Sequence, residues 1–263
     1  MMGSNMSAFR AMRWARRRAQ RFVRERISDH EFSSLVSSRE LAEYQRELAD
    51  AGLDSLIEAK RLEFQESVTG SELNSRGKPY RFGALGALGR LRWYALVRKT
   101  KPRVLVETGV CNGVSSAYIL LALQMNGEGH LHSIDLPEYT DSSYSAEAFW
   151  SGKGGAAIPK GARPGWVIPE QLLGRWTFLE GRSYELLPPL LQRLGQVDFF
   201  FHDSEHSYQC MTFEYETALE ASGPGTIIGS DDVARNTAFD DFCRRHGFRA
   251  RRITPVTALC VVS

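Results

Sequence analysis

The sequence predicts an α/β fold: a Rossmann-like, seven-stranded, mainly parallel sheet flanked by helices, with an N-terminal helical extension. Three observations carry this. From residue 103 onward, short β-prone runs alternate with helical patterns, the signature of parallel strands joined by crossover helices. Two of those runs end abruptly in acids, Phe199-Phe200-Phe201-His202-Asp203 and Thr226-Ile227-Ile228-Gly229-Ser230-Asp231-Asp232. A third, Val104-Leu105-Val106, enters a glycine turn, Glu107-Thr108-Gly109, that leads to a helix start at Gly113. Groups at the carboxyl ends of parallel strands gather on one edge of the sheet, where ligands bind.

The individual elements follow from periodicity. Strands are expected at 103–107, 130–135, 175–179, 197–202 and 225–230, and helices at 113–125, 183–194, 207–222 and 236–246. Two further β-prone runs, 248–253 and 257–262, would form a hairpin through Thr254-Pro255 at or near an edge of the sheet. Upstream, 84–100 is helical, and 39–66 carries a helical pattern that Gly52 breaks in two. The turn-rich stretch 67–82 reads as a connection. This divides the chain into an extension over 1–80 and a main domain over 81–263. Residues 137–170, rich in Gly, Pro, Ser and aromatics, break the alternation; a long loop after the second strand would hang over the ligand edge as a lid.

Composition narrows the class. A chain of 263 residues with 43% hydrophobic content can bury one large core, and a net charge of +2 implies no particular partner. The four cysteines form no CxxC unit, which argues against a zinc or redox motif and for a reducing, cytoplasmic setting. No apolar run approaches the roughly 18 residues of a membrane span. Residues 7–27 read as a basic amphipathic helix, with arginines at 10, 13, 16, 17, 18, 21 and 24. Such a helix can lie on an anionic membrane, or act as a solvated arm on its own domain or on a second subunit of a homo-oligomer.

The chemistry concentrates at the strand ends. Gly109 permits a sharp turn and close approach of a ligand to the backbone. The GxxxG spacing differs from the GxGxxG of dinucleotide sites and counts against NAD or FAD. Asp135 ends the next strand, where an acid can accept both hydroxyls of a ribose. Three carboxylates, Asp203, Asp231 and Asp232, with His206 three residues after the first, suggest a divalent-cation site with a general base beside it. Asp198 lies inside its strand and reads as structural. His202 should face away from Asp203, and Asn236 is placed to touch substrate.

With these motifs in order, residues 80–263 resemble the class I S-adenosylmethionine-dependent methyltransferases. The resemblance implies that Glu107, Thr108, Gly109 and Gly113 form the first cofactor motif, that Asp135 binds the ribose, that Gly181 and Ser183 border the adenine, and that Asp203 also lies against the cofactor. The closer resemblance is to metal-dependent O-methyltransferases of the macrolide-sugar and catechol types, through the string Asp203-Ser204-Glu205-His206-Ser207-Tyr208 and the later pair Asp231-Asp232. It implies Mg²⁺ on Asp203, Asp231 and Asp232, His206 as catalytic base, and a hydroxyl acceptor on a small molecule or sugar. Two alternatives stay open: a metal-independent N- or O-methyltransferase using His206 alone, and a non-catalytic binding protein that keeps the fold. Nucleic acid is disfavoured as substrate, because the basic arm is short and no Asn-Pro-Pro-Tyr-like motif for a flipped base is present.

Overall fold

The computed structural model describes residues 25–68, 79–140 and 156–263. Seven strands, β1 (Val104–Thr108), β2 (His130–Asp135), β3 (Trp176–Glu180), β4 (Val197–His202), β5 (Ser222–Ser230), β6 (Arg251–Arg252) and β7 (Ala258–Val261), form one sheet in the order β3-β2-β1-β4-β5-β7-β6. The first five pair in parallel, and β7 runs antiparallel to both β5 and β6. The chain leaves β1 toward β2 and β3 on one side and returns to β4 and β5 on the other. The carboxyl ends of β1 and β4 therefore flank the topological switch point, where such sheets bind ligands. Asp198 is structural as expected: its carboxylate accepts the backbone N–H groups of Arg103 and Val104, at 2.8 and 2.9 Å, and ties the start of β1 to β4.

Period-two alternation in β4 builds both faces of the core. Phe199 and Phe201 pack on one face with Trp93, Leu105 and Leu131, and Phe200 packs on the other with Val106, Tyr215 and Ile228. Burial of each phenylalanine is worth about 1.5–3 kcal/mol. The first face is covered by α4 (Ala87–Thr100) and α5 (Val114–Asn126), the second by α6 (Ser183–Leu194), α7 (Tyr208–Glu220) and α8 (Ala238–His246). The extension contributes α1, described over 25–33, α2 (Ser38–Ala51) and α3 (Leu53–Ser67), with Gly52 in the left-handed conformation between the last two. Phe32, Leu48, Ile57 and Phe64 of these helices belong to the same apolar cluster as Trp93 and Phe199. Buried Arg92 donates to Asp29 of α1 and to the Ile253 carbonyl, and stacks over Phe32 at 4.7 Å.

From α2 onward, element ends lie within three residues of expectation except in the tail, whereas α1 runs on to residue 33, six residues past the expected end. The run 248–253 yields only the two-residue β6. Phe248 instead donates its N–H to the Cys243 carbonyl and closes α8. Thr254 Oγ1 accepts the N–H groups of Val256 and Thr257, which turns the chain before a longer ladder forms. Within 137–170, the described parts are packed: Ile158 N donates to Glu138 O at 2.8 Å, Thr140 N donates to Ile158 O at 2.9 Å, and Ala157, Ile158, Val167 and Ile168 are buried. A 3-10 helix (Glu170–Arg175) then leads into β3. Most of the predicted basic helix (7–24), part of the connection (69–78) and the loop segment 141–155 with Tyr144, Phe149 and Trp150 lie outside the described residues. Among the described residues, no helix is long and apolar enough to cross a membrane.

Candidate active site

A cleft of about 1810 Å³ opens along the carboxyl ends of the strands. Gly109, Asp135, Gly181, Ser183, Asp203, His206, Asp231 and Asp232 all line it. Three predicted residues do not: Glu107, Thr108 and Gly113 lie beneath or behind the lining. Gly109 has φ +88°, and a Cβ there would fall 2.1 Å from the Asp203 carbonyl oxygen. The glycine thus lets the β1 turn pass against the end of β4. Gly113 has a packing role: a Cβ would fall 2.6 Å from Gly165 Cα, so the residue admits the 165–168 segment against the start of α5.

On the β1–β2 side, backbone groups and hydroxyls satisfy the acids. Asp135 Oδ2 accepts Cys111 N–H at 2.6 Å, which fixes the turn after β1. Burial pushes the Asp135 carboxyl up to about 6 against these donors. Gly181 N–H donates to the Asp135 carbonyl at 2.9 Å and brings the turn before α6 to the same place. Fully buried Glu107 accepts hydroxyls from Ser115 and Ser116 at 2.6 Å and from Ser133 at 2.9 Å. Burial raises it to about 7. Its side chain anchors the first turn of α5.

On the β4–β5 side, Asp203, His206 and Asp231 each offer a ligand atom, all within 4.8 Å of one another. His206 Nε2 stands 3.7 Å from Asp203 Oδ1. Burial, then the charge of Asp231, raises Asp203 well above the usual carboxylate range, and burial with the neighbouring Asp232 raises Asp231 to about 7. Burial and the adjacent His202 take His206 down to about 4. His206 Nε2 and Asp231 Oδ1 are buried and have no hydrogen-bond partner among the described residues. Asp232 lies outside the triad: it sits at φ +50° with its carboxylate on Arg235.

The residue that sequence reasoning missed is Glu214, on α7 and fully buried. Its carboxylate takes the Thr108 hydroxyl, His202 Nδ1 at 2.6 Å and the Ser204 hydroxyl at 2.7 Å. Burial would raise Glu214, but the His202 ring and these donors outweigh it and hold the group at about 2. One signal was available: Met211, Tyr215 and Ala218 form the buried stripe of α7, and position 214 falls on it. His202 does face α7, away from the β4 phenylalanines at 199 and 201. The chain after Asp203 folds back, however, and sets the His206 ring edge-on to it, with centroids 5.2 Å apart. Asn236 Nδ2 donates to the His206 carbonyl at 3.2 Å, so it braces the histidine's backbone.

A family model described as a methyltransferase domain matches residues 106–233, a span that holds every strand-end residue discussed above. Among solved structures, cofactor-bound Rv0187 from MTB is similar at 16% identity and a TM-score of 0.51, covering 81% of this chain and 95% of that one. An O-methyltransferase from Bacillus cereus, in complex with SAH, is similar at 15% identity and a TM-score of 0.50, covering 88% of this chain and 100% of that one. No curated protein matches the chain. The matched domain, on a Rossmann-like methyltransferase fold, supports a methyltransferase of class I.

Proposed function

We propose that the chain is an S-adenosylmethionine-dependent O-methyltransferase that uses a divalent cation, Mg²⁺ by preference, and His206 as its base. The observation that carries this is the convergence of Asp203, His206 and Asp231 within 4.8 Å beside the turn that Asp135 holds. The donor set fits a cation: burial and the charge of Asp231 raise Asp203, burial and the charge of Asp232 raise Asp231, and Asp231 Oδ1 is buried without a hydrogen-bond partner among the described residues. Oxygen ligands of this kind suit Mg²⁺ or Mn²⁺. Asp203 and Asp231 would hold it, with Asp232 at the margin. When bound, it would lower the pKa of an acceptor hydroxyl.

The chain's own residues do the rest. Asp135 would hold the cofactor's ribose, and the 109–111 and 181–183 turns, which line the same cleft, would border its nucleoside. The SAH bound by the Bacillus cereus neighbour agrees with this choice of cofactor. His206, neutral at neutral pH, has the protonation state that a base needs. It would take the acceptor's hydroxyl proton, while the bound cofactor would supply the methyl group and keep the electron pair of the broken C–S bond on sulfur. Alignment of oxygen, carbon and sulfur can be worth about 7–11 kcal/mol. The cleft exceeds the usual range for a single ligand, about 300–1,000 Å³, which leaves room for a small-molecule or sugar acceptor between Leu85, Leu88 and Val256.

A second reading drops the cation, because Asp203 alone is close enough to steer the His206 ring. Calorimetric titration with SAH, then Mn²⁺ or Mg²⁺, separates the two. Saturable SAH binding followed by one-site cation binding is expected. SAH binding without cation binding selects the second reading, and no SAH binding by folded protein sinks both.

A further inference from the structure

We propose that Glu214 is the positioning residue of the acidic cluster, a buried carboxylate that sets Asp203 and Asp231 at their mutual spacing without touching ligand. This rests on the cation reading above. Glu214 is fully buried and does not line the cleft. Its two oxygens gather the side chains of Thr108 at the end of β1, His202 at the end of β4 and Ser204 at the start of the following loop. A carboxylate only accepts, so Nδ1 of His202 must be the proton-bearing nitrogen toward it.

Those same residues carry the cluster through the backbone. Asp203 N–H donates to the Thr108 carbonyl at 2.8 Å, and Asp231 N–H donates to the His202 carbonyl at 2.9 Å. Asp203 lies between His202 and Ser204 in the chain. Each ligand-bearing aspartate is therefore one hydrogen bond or one peptide link from a residue that Glu214 grips. The His202 ring, held through Nδ1, in turn stands edge-on against the His206 ring. Partners that orient ligating residues commonly change metal affinity about 10–100-fold when removed.

The test compares wild type, Glu214→Gln and Ser204→Ala by calorimetric titration with SAH and with Mn²⁺, alongside the Tm. Glu214→Gln keeps the shape but leaves only one accepting oxygen, and Ser204→Ala removes one donor at the loop. Mn²⁺ affinity should fall about 10–100-fold in Glu214→Gln and about 10-fold in Ser204→Ala, with SAH affinity within about twofold of wild type. The downfield proton signal of His202 Nδ1–H should shift in Glu214→Gln without any metal present. A merely structural role would lower Tm and both affinities together, and that result overturns the proposal. Unchanged Mn²⁺ affinity in both folded variants also overturns it while leaving the cation reading intact. Failure of wild type to bind Mn²⁺ sinks the cation reading itself. If Glu214→Gln does not fold, Ser204→Ala decides.

Discussion

On the β2 side of the cleft, Asp135 takes backbone N–H groups and Glu107 takes three serine hydroxyls. On the β5 side, Asp231 Oδ1 and His206 Nε2 are just as sheltered but find no hydrogen-bond partner among the described residues. Burying a polar atom without a partner is costly, about 1–3 kcal/mol for a neutral group and more for a charged one. Asp231 and His206 differ from other residues with such buried atoms, as at Trp93 and Thr212, in lining the cleft. The first half thus shapes a turn from groups that satisfy one another, and the second holds donors in readiness.

Gly109 is where the halves meet, so a change there should erase the contrast. Gly109→Ala places a Cβ 2.1 Å from the Asp203 carbonyl in a left-handed conformation. The conformation alone costs about 1–2 kcal/mol, and Tm should fall by at least about 2–4 °C. Both SAH and Mn²⁺ binding should be lost, and a variant that kept either at wild-type strength would disprove the shared boundary. Asp231→Asn should weaken Mn²⁺ by on the order of 100-fold, because it removes a charged ligand, while SAH affinity changes little. Asp135→Ala should do the opposite. The loss of charged hydrogen bonds worth about 1.5–3 kcal/mol weakens SAH about 10–100-fold and leaves Mn²⁺ in place. If each of these variants damaged both affinities equally, the cleft would be one cooperative unit rather than two halves.

The contrast was partly legible in the sequence, for a physical reason. Asp135, Asp203, Asp231 and Asp232 each interrupt an apolar run, and an acid at the end of a buried strand can only lie at the sheet's edge. The parallel order of β1 to β5 followed from the same alternation. Glu214 was hidden because it interrupts nothing: a glutamate in an amphipathic helix reads as solvent-facing until its stripe is counted. Thr108 and Ser204 share the problem, since their hydroxyls matter only through Glu214. The separation of Asp232 from the triad depends on a left-handed backbone at that residue and on Arg235, three positions away, which no strand pattern encodes. The short β6 reflects the Thr254 turn, a local side-chain competition that β-propensity does not register.

The smallest expected effect is the pH dependence of stability, and it separates the halves within a single protein. Asp231 in the folded chain stands at about 7, against an ordinary value of 3.8. The folded state therefore holds this proton more tightly than the unfolded state. Between those values the folded state binds more protons, so stability is greatest at the acidic end and falls as pH rises toward about 7. One such group changes stability by at most about 1.4 kcal/mol per pH unit. Asp135 and Glu107, raised to about 6 and about 7, and Asp203, raised well above its ordinary range, act in the same direction. A titration of Tm from pH 5 to 8 in chelator would therefore combine all four carboxyls. Asp231→Asn removes the Asp231 part of the β4–β5 share, so its Tm should fall less steeply than that of wild type, with the difference widening up to about pH 7. Mn²⁺ should flatten the wild-type curve in the same window, because a cation holds ionised carboxylates and displaces their protons. Identical slopes for wild type and Asp231→Asn would mean that Asp231 is an ordinary solvated acid, and the two halves would then differ in shape but not in electrostatics.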